Sequence, residues 1–176
     1  MSRSKKLIRN TIVIILLSLI LGSWFGLSVT PLSAYEKAER GIHYGPSQII
    51  HIEKHKKYQV ILGRYDKWIS SCTLKKVLFF FWAAESVPIS LENDNSKPIC
   101  YTWSYYNPTV KVYGFLNDNR MDKIEVTLTN GEIITQTKFY DNLFLVTYDN
   151  DNKGDVFFKA IRGYDAENNK IFESEY

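Results

Sequence analysis

At 176 residues the chain has room for one ordinary domain and a terminal segment, and too little for two full-sized domains. Its formal charge of +3 is unevenly spread: Arg3, Lys5, Lys6 and Arg9 precede the first acidic residue, Glu36, and the remainder holds 18 basic against 19 acidic residues. A near-neutral remainder argues against nucleic acid as a partner, because displacing phosphate counterions takes a clustered basic surface.

The first element in chain order is apolar. No charged side chain occurs between Asn10 and Tyr35, and the 18 residues from Ile12 to Val29 are interrupted only by Ser18, Gly22, Ser23, Gly26 and Ser28. A run of that length predicts a transmembrane helix, with residues 10–30 in the lipid bilayer. Basic residues on its N-terminal side alone put the N-terminus in the cytoplasm and everything after the helix outside it, by the positive-inside rule. Residues 1–34 are thus read as a basic tail plus anchor. Leu32-Ser33-Ala34 has the small-x-small form of a signal-peptide cleavage site except for its leucine. The apolar run exceeds that of a typical signal peptide, which favours a retained anchor; cleavage near Ala34 would release the same domain into the medium. Neither cysteine lies close enough behind the segment to be lipidated. Ser18, Gly22 and Gly26 recur every fourth residue and would share a helix face on which a second helix could pack, giving weak self-association.

Residues 35–47 read as a polar connector that begins as a short helix at Ala34 to Arg40. From residue 48 onward short apolar runs alternate with Gly, Asn, Asp and Pro, the pattern of β-strands and turns. Strands are expected at 48–53, 58–63, 67–74, 76–84, 98–105, 109–116, 123–129, 132–139, 143–148, 156–161 and 170–173. Alternation of Ile124, Val126 and Leu128 before Asn130-Gly131 predicts a hairpin with a two-residue type I′ turn, and a second turn falls at Asp141-Asn142. The polar stretch 86–97 reads as a loop that divides the β-region. Many strands and no helical period beyond residue 48 indicate a mainly β, sandwich-like extracytoplasmic domain over 48–176.

The runs Gly45-Pro46-Ser47 before Ile49-Ile50, Leu62-Gly63-Arg64-Tyr65-Asp66-Lys67-Trp68, Lys123-Ile124-Glu125-Val126-Thr127-Leu128 and Gly163-Tyr164-Asp165 carry a resemblance. The chain resembles small exported or membrane-anchored β-rich proteins of Gram-positive bacteria, proteins without an assigned activity. The resemblance implies placement and fold and supplies no chemistry.

Candidate sites are few. His51, Glu53 and His55 occupy alternate strand positions, so they share one face and offer a weak metal-ligand set; a solvated strand face backed by Ile50 and Ile52 is the competing interpretation. Asp149 to Gly154 has the look of a calcium loop, but Lys153 and Ala160 stand where oxygen ligands are needed, so a turn is expected. Phe79, Phe80, Phe81 and Trp82, with Trp103, Tyr105 and Tyr106, offer either a sugar-binding platform or, as the pattern favours, a buried strand. Cys72 and Cys100 are the only thiols. In an oxidising compartment they would close a loop of roughly 28 residues for about 3–4 kcal/mol, if their Cα atoms approach within about 7 Å. No nucleophile–base pair, phosphate loop or serine elbow is present, and no cofactor is implied. The expected function is that of a non-enzymatic cell-envelope protein whose β-domain binds a protein or cell-wall component; the alternative is a small surface hydrolase using a metal or paired carboxylates.

Overall fold

The computed structural model describes residues 3–55, 58–77, 80–106, 109–149 and 156–176. Helix α1 runs Arg3–Trp24 and helix α2 runs Pro31–Gly41. Among the described residues twelve strands follow: β1 Gln48–Lys54, β2 Tyr58–Tyr65, β3 Trp68–Val77, β4 Phe81–Ala84, β5 Ile89–Glu92, β6 Ile99–Tyr106, β7 Thr109–Leu116, β8 Lys123–Leu128, β9 Ile133–Gln136, β10 Leu143–Asp149, β11 Phe158–Tyr164 and β12 Lys170–Glu175. The fold is mainly β and sandwich-like.

Helix α1 is not the continuous segment expected over Ile12 to Val29. It ends at Trp24, and Gly26 turns the chain with φ of 79°, a left-handed conformation that glycine adopts without steric cost. Among the described residues no helix is long and apolar enough to cross a membrane. The uncharged part of α1, Asn10 to Trp24, is 15 residues. At about 1.5 Å per residue it is about 22 Å long, against a hydrocarbon core of roughly 30 Å. Beyond the turn, Ser28 exchanges backbone hydrogen bonds with Trp82, and Thr30 caps α2 by accepting from the Ser33 amide at 3.1 Å. Pro31 follows at the first helical position, where its missing N–H costs nothing. Helix α2 therefore begins before residue 35, and Ala34 and Tyr35 belong to the core; deleting residues 1–34 would remove its cap and first turn.

The strands form three sheets. Sheet A has the order β1-β2-β3-β4, with β5 pairing to β3 as well; β4 covers Leu74 to Val77 and β5 covers Trp68 to Ser71 along the same edge. Sheet B has the order β10-β7-β6 and sheet C the order β12-β11-β8-β9. Side-chain alternation stacks them. Ile61, Cys72 and Leu74 of sheet A meet Ala34 and Tyr35 of α2, while Val60, Leu62 and Ile69 on the opposite face meet Tyr113, Phe115, Leu143 and Leu145 of sheet B. The other face of sheet B, with Val110, Val112, Phe144 and Val146, packs on Ile124, Val126, Leu128 and Ile161 of sheet C. The layers run α2, A, B, C, and β7 is buried at all eight positions because both its faces are covered.

Each expected strand region holds a strand, with shifted boundaries: the one expected at 132–139 is only Ile133–Gln136, and two differences alter the layout. The strand anticipated at 76–84 is split, since β3 continues to Val77 and β4 begins at Phe81. The loop at 86–97 holds the short strand β5, so sheet A ends at Glu92 and sheet B begins at Ile99. The Asn130-Gly131 hairpin has a three-residue loop: Leu128 donates to the Glu132 carbonyl, and Gly131 alone takes positive φ, at 85°. The two-residue I′ geometry occurs instead at Asp141-Asn142, where both φ values are positive, 54° and 57°.

Gly114 sits in the middle of β7 beneath β6. A Cβ there would lie 2.2 Å from the Cys100 carbonyl oxygen and 2.8 Å from the Tyr101 Cα. Those are backbone atoms of a paired strand, which cannot swing away. Gly114→Ala is expected to lower stability by about 1–3 kcal/mol, read as a drop in the urea midpoint at unchanged slope. An unchanged midpoint would show that β6 can shift.

Candidate functional site

The most unusual surface is α1 itself. Ile12, Val13, Ile14, Ile15, Leu16 and Leu17 are all about half exposed, so the helix shows apolar side chains on every face. A helix apolar all round normally has a partner or lipid around it. At its C-terminal end Trp24 is 87% and Phe25 81% exposed. Gly22 is the exception on this helix, buried under the ring of Phe81, whose Cζ lies 2.7 Å from where a Cβ would be. Of the possible Ser18–Gly22–Gly26 association face, Gly26 lies beyond the helix, Gly22 receives Phe81, and the Ser18 hydroxyl donates to the Ile14 carbonyl at 2.8 Å.

The second feature is a seam between β1 and β10. A β-bulge at Ile50 shifts the alternation of β1, so Ile50 packs toward sheet B and Ile52 toward α2 instead of sharing a face. His51, Glu53 and His55 project over the rim of sheet B. The His51 ring stacks on Tyr140, 3.8 Å between centroids, and its Nε2 lies 3.1 Å from Glu53 Oε2. His55 turns to Thr147 Oγ1 at 3.2 Å and stacks on Tyr58. His51 and Glu53 thus pair with each other while His55 turns away to other partners, and among the described residues no group of three or more His, Cys, Asp or Glu could hold a metal ion. Glu53, Thr135, Gln136, Lys138, Tyr140 and Thr147 line an open groove of about 340 Å³. Gln136 Oε1 is buried there without a hydrogen-bond partner among the described residues, and desolvation together with the Glu53 charge raises the Tyr140 pKa above its usual value. The groove therefore offers acceptors of negative and neutral character, one exposed ammonium and a phenol. It suits a polar ligand of mixed hydrogen-bonding character.

No protein-family model matches this chain, and no curated protein or solved structure matches it. The site must be read from its own geometry.

The cysteines are free, so the bridge that the sequence left possible is not formed. Cys72 faces α2 from sheet A, and its thiol donates to the Ser86 carbonyl at 3.2 Å; Cys100 faces sheet A from sheet B, and its thiol donates to the Glu92 carbonyl at 3.4 Å. They occupy different interlayer spaces. Burial pushes the Cys72 thiol up to about 11, which makes it a poor nucleophile. The aromatic run is also divided. Phe79 lies outside the described residues, Phe80 is 53% exposed, Phe81 is buried and Trp82 packs toward α2. Trp103 packs at a tilt against Phe158 and at right angles to Tyr176, and Tyr105 packs edge-to-face with Phe157, so these rings take part in packing. Residues 150–155 of the calcium-like loop lie outside the described residues.

Two buried charged groups escaped sequence reasoning. Glu39, 1% exposed, accepts from Ser47 Oγ at 2.6 Å, from the Ser47 amide at 3.2 Å and from Ser70 Oγ at 3.1 Å. Tyr35 joins through Ser70 at 2.6 Å, and desolvation drives its hydroxyl far above the ordinary range. Gly63 makes room for this cluster, since a Cβ there would lie 2.3 Å from the Tyr35 hydroxyl. Lys111, also 1% exposed, lies between sheets A and B and donates to the Ser71 carbonyl at 3.0 Å. Ser104 and Thr147 flank it across β6 and β10. The hydroxyls of Ser71, Thr73, Ser104 and Thr109 are buried nearby without partners among the described residues. Burial lowers the Lys111 pKa to about 8.

Proposed function

We propose that α1 inserts into a lipid bilayer and holds the β-domain at the membrane surface, N-terminus in the cytoplasm and domain outside, where it binds a polar protein or cell-wall component. The observation that carries this reading is the apolar surface exposed on all faces of α1. The uncharged stretch is short, and Leu7 and Ile8 extend the apolar surface below Arg9. The long stems of Lys5, Lys6 and Arg9 can reach the headgroups while lying against lipid, and local bilayer thinning accommodates the remaining mismatch. The groove along β1, β9 and β10 supplies the binding surface. Its mixed donors and acceptors favour hydrogen-bonded recognition of a polar chain over an apolar one.

The test is a reporter fused after Tyr176 in the full-length protein, with carbonate extraction of the membranes. The expected result is a reporter active only outside the membrane and protein that stays in the carbonate pellet. A reporter active only in the cytoplasm would sink the orientation. Release by carbonate would sink insertion.

A further inference from the structure

We infer that the β-domain makes a second contact with the same bilayer, through Phe80 at the end of sheet A, next to the buried Phe81 that packs on α1, so that the domain is docked against the lipid in one orientation. This rests on the insertion of α1 proposed above. The argument is one of depth. Gly22 precedes the helix end by two residues, about 3 Å along the axis. Phe81 packs directly on Gly22 and is 4% exposed. If α1 is embedded up to Trp24, then Phe81 stands at the depth of the outer headgroup boundary, and no lateral gap separates it from the helix. Phe80 stacks on Phe81 with centroids 4.4 Å apart and turns its own ring outward. Trp24, Phe25 and Phe80 then form an aromatic band at one level, the composition that membrane interfaces favour.

Charge fits the same occupant. Lys76 is exposed on β3 directly opposite Trp82, within the register that places Val77 opposite Phe81. An ammonium one residue back from the aromatic end is suited to anionic headgroups, each such contact contributing to attraction within a Debye length of the surface. The bond between Ser28 and Trp82 closes the unit, joining the chain just after α1 to β4 through two backbone hydrogen bonds of 2.8 and 2.7 Å. Helix, turn and strand end are therefore one rigid block. A protein partner for this band is the competing outcome of the test.

The experiment uses full-length protein in vesicles of mixed zwitterionic and anionic phospholipid, with an environment-sensitive fluorophore at one introduced cysteine. Phe25→Cys reports insertion of α1, Phe80→Cys reports the second contact, Lys76→Cys reports it without touching an aromatic residue, and Asn130→Cys is the exposed distal control. Cys72 and Cys100 are buried, and the unsubstituted protein measures their background labelling. The expected result is a blue shift and quenching by shallow nitroxide lipid at positions 25 and 80, weaker quenching at 76, and none at 130. Quenching at 25 with neither 76 nor 80 affected overturns the second contact and leaves the anchor standing. No quenching at 25 overturns both. Protection of position 80 that persists in vesicles without quenching assigns the band to protein and also overturns the lipid contact.

Discussion

Replacing Glu39 by alanine is expected to cost about 3 kcal/mol of stability, because it removes the buried carboxylate that accepts from Ser47 and Ser70. Ser47 loses bonds from both its amide and its hydroxyl, and Ser70 retains only Tyr35. Gly63 leaves no room for Tyr35 to repack toward β2. Helix α2 is held to sheet A by this cluster and by few large apolar contacts, chiefly Ala34, Tyr35 and Ala38. Its amides should therefore lose hydrogen-exchange protection well before those of β7. Glu39→Gln keeps the shape and one acceptor oxygen, and should cost clearly less. Equal losses for the two variants would show that the charge, and not the acceptor geometry, matters. No loss for either would show that α2 is held by packing alone.

Lys111 supplies the second large effect, and its sign depends on pH. Burial depresses its pKa to about 8 in the folded protein, from about 10.5 in an unfolded chain. Between those values the unfolded state binds more protons, so this group makes stability rise with pH across that window. At about 1.4 kcal/mol per unit the full effect is about 3 kcal/mol. Cys72 works in the opposite sense: its folded pKa of about 11 against 9.0 unfolded makes stability fall as pH rises through that interval. The two offset each other above about pH 9, so the total curve is flatter than either contribution. The informative quantity is the difference between wild type and Lys111→Met. The methionine variant is expected to be the more stable near pH 7, with the gap closing by about 3 kcal/mol by pH 10.5. Urea titrations at several pH values measure it; a gap independent of pH would show that Lys111 titrates at the same pH folded as unfolded.

How legible these features were in the sequence follows from what each depends on. Strands such as Lys123 to Leu128 announce themselves because one face is buried and one is not, and period-two alternation records that locally. Helix α2 was only half visible. Its cap at Thr30 and Pro31 adjoins the apolar run, which masked the start. Strand β5 is four residues long behind Pro88 and reads as loop; it is a strand only because β3 has a free edge there. Glu39 differs from Glu36 in nothing local, and its burial is decided by α2 packing on a sheet that ends 53 residues later, at Glu92. Lys111 between Val110 and Val112 reads as the solvent side of an edge or one-faced strand. That inference fails because sheet B is covered on both sides. The His51, Glu53 and His55 face was legible as a face, while its stacking on Tyr140 required the pairing of distant strands. The end of α1 depended on Gly26 taking a turn, which an uninterrupted hydropathy pattern does not reveal.

The stacking of the three sheets also orders the events of folding. Sheet A is a run of neighbouring hairpins completed by Glu92, all of it local in sequence. Sheet B cannot be completed until β10, because β7 needs Leu143 to Asp149 as its second neighbour, and the chain passes through β8 and β9 of sheet C before supplying them. Local hairpins form early and long-range pairings late. During synthesis, then, the face of sheet A bearing Val60, Leu62 and Ile69 is first met only by Cys100, Tyr113 and Phe115, and its contacts with Leu143 and Leu145 wait until some fifty residues beyond Glu92 are made. For that interval it is the most aggregation-prone surface of the nascent chain, and conditions that slow translation past Glu92 should raise its demand for chaperones.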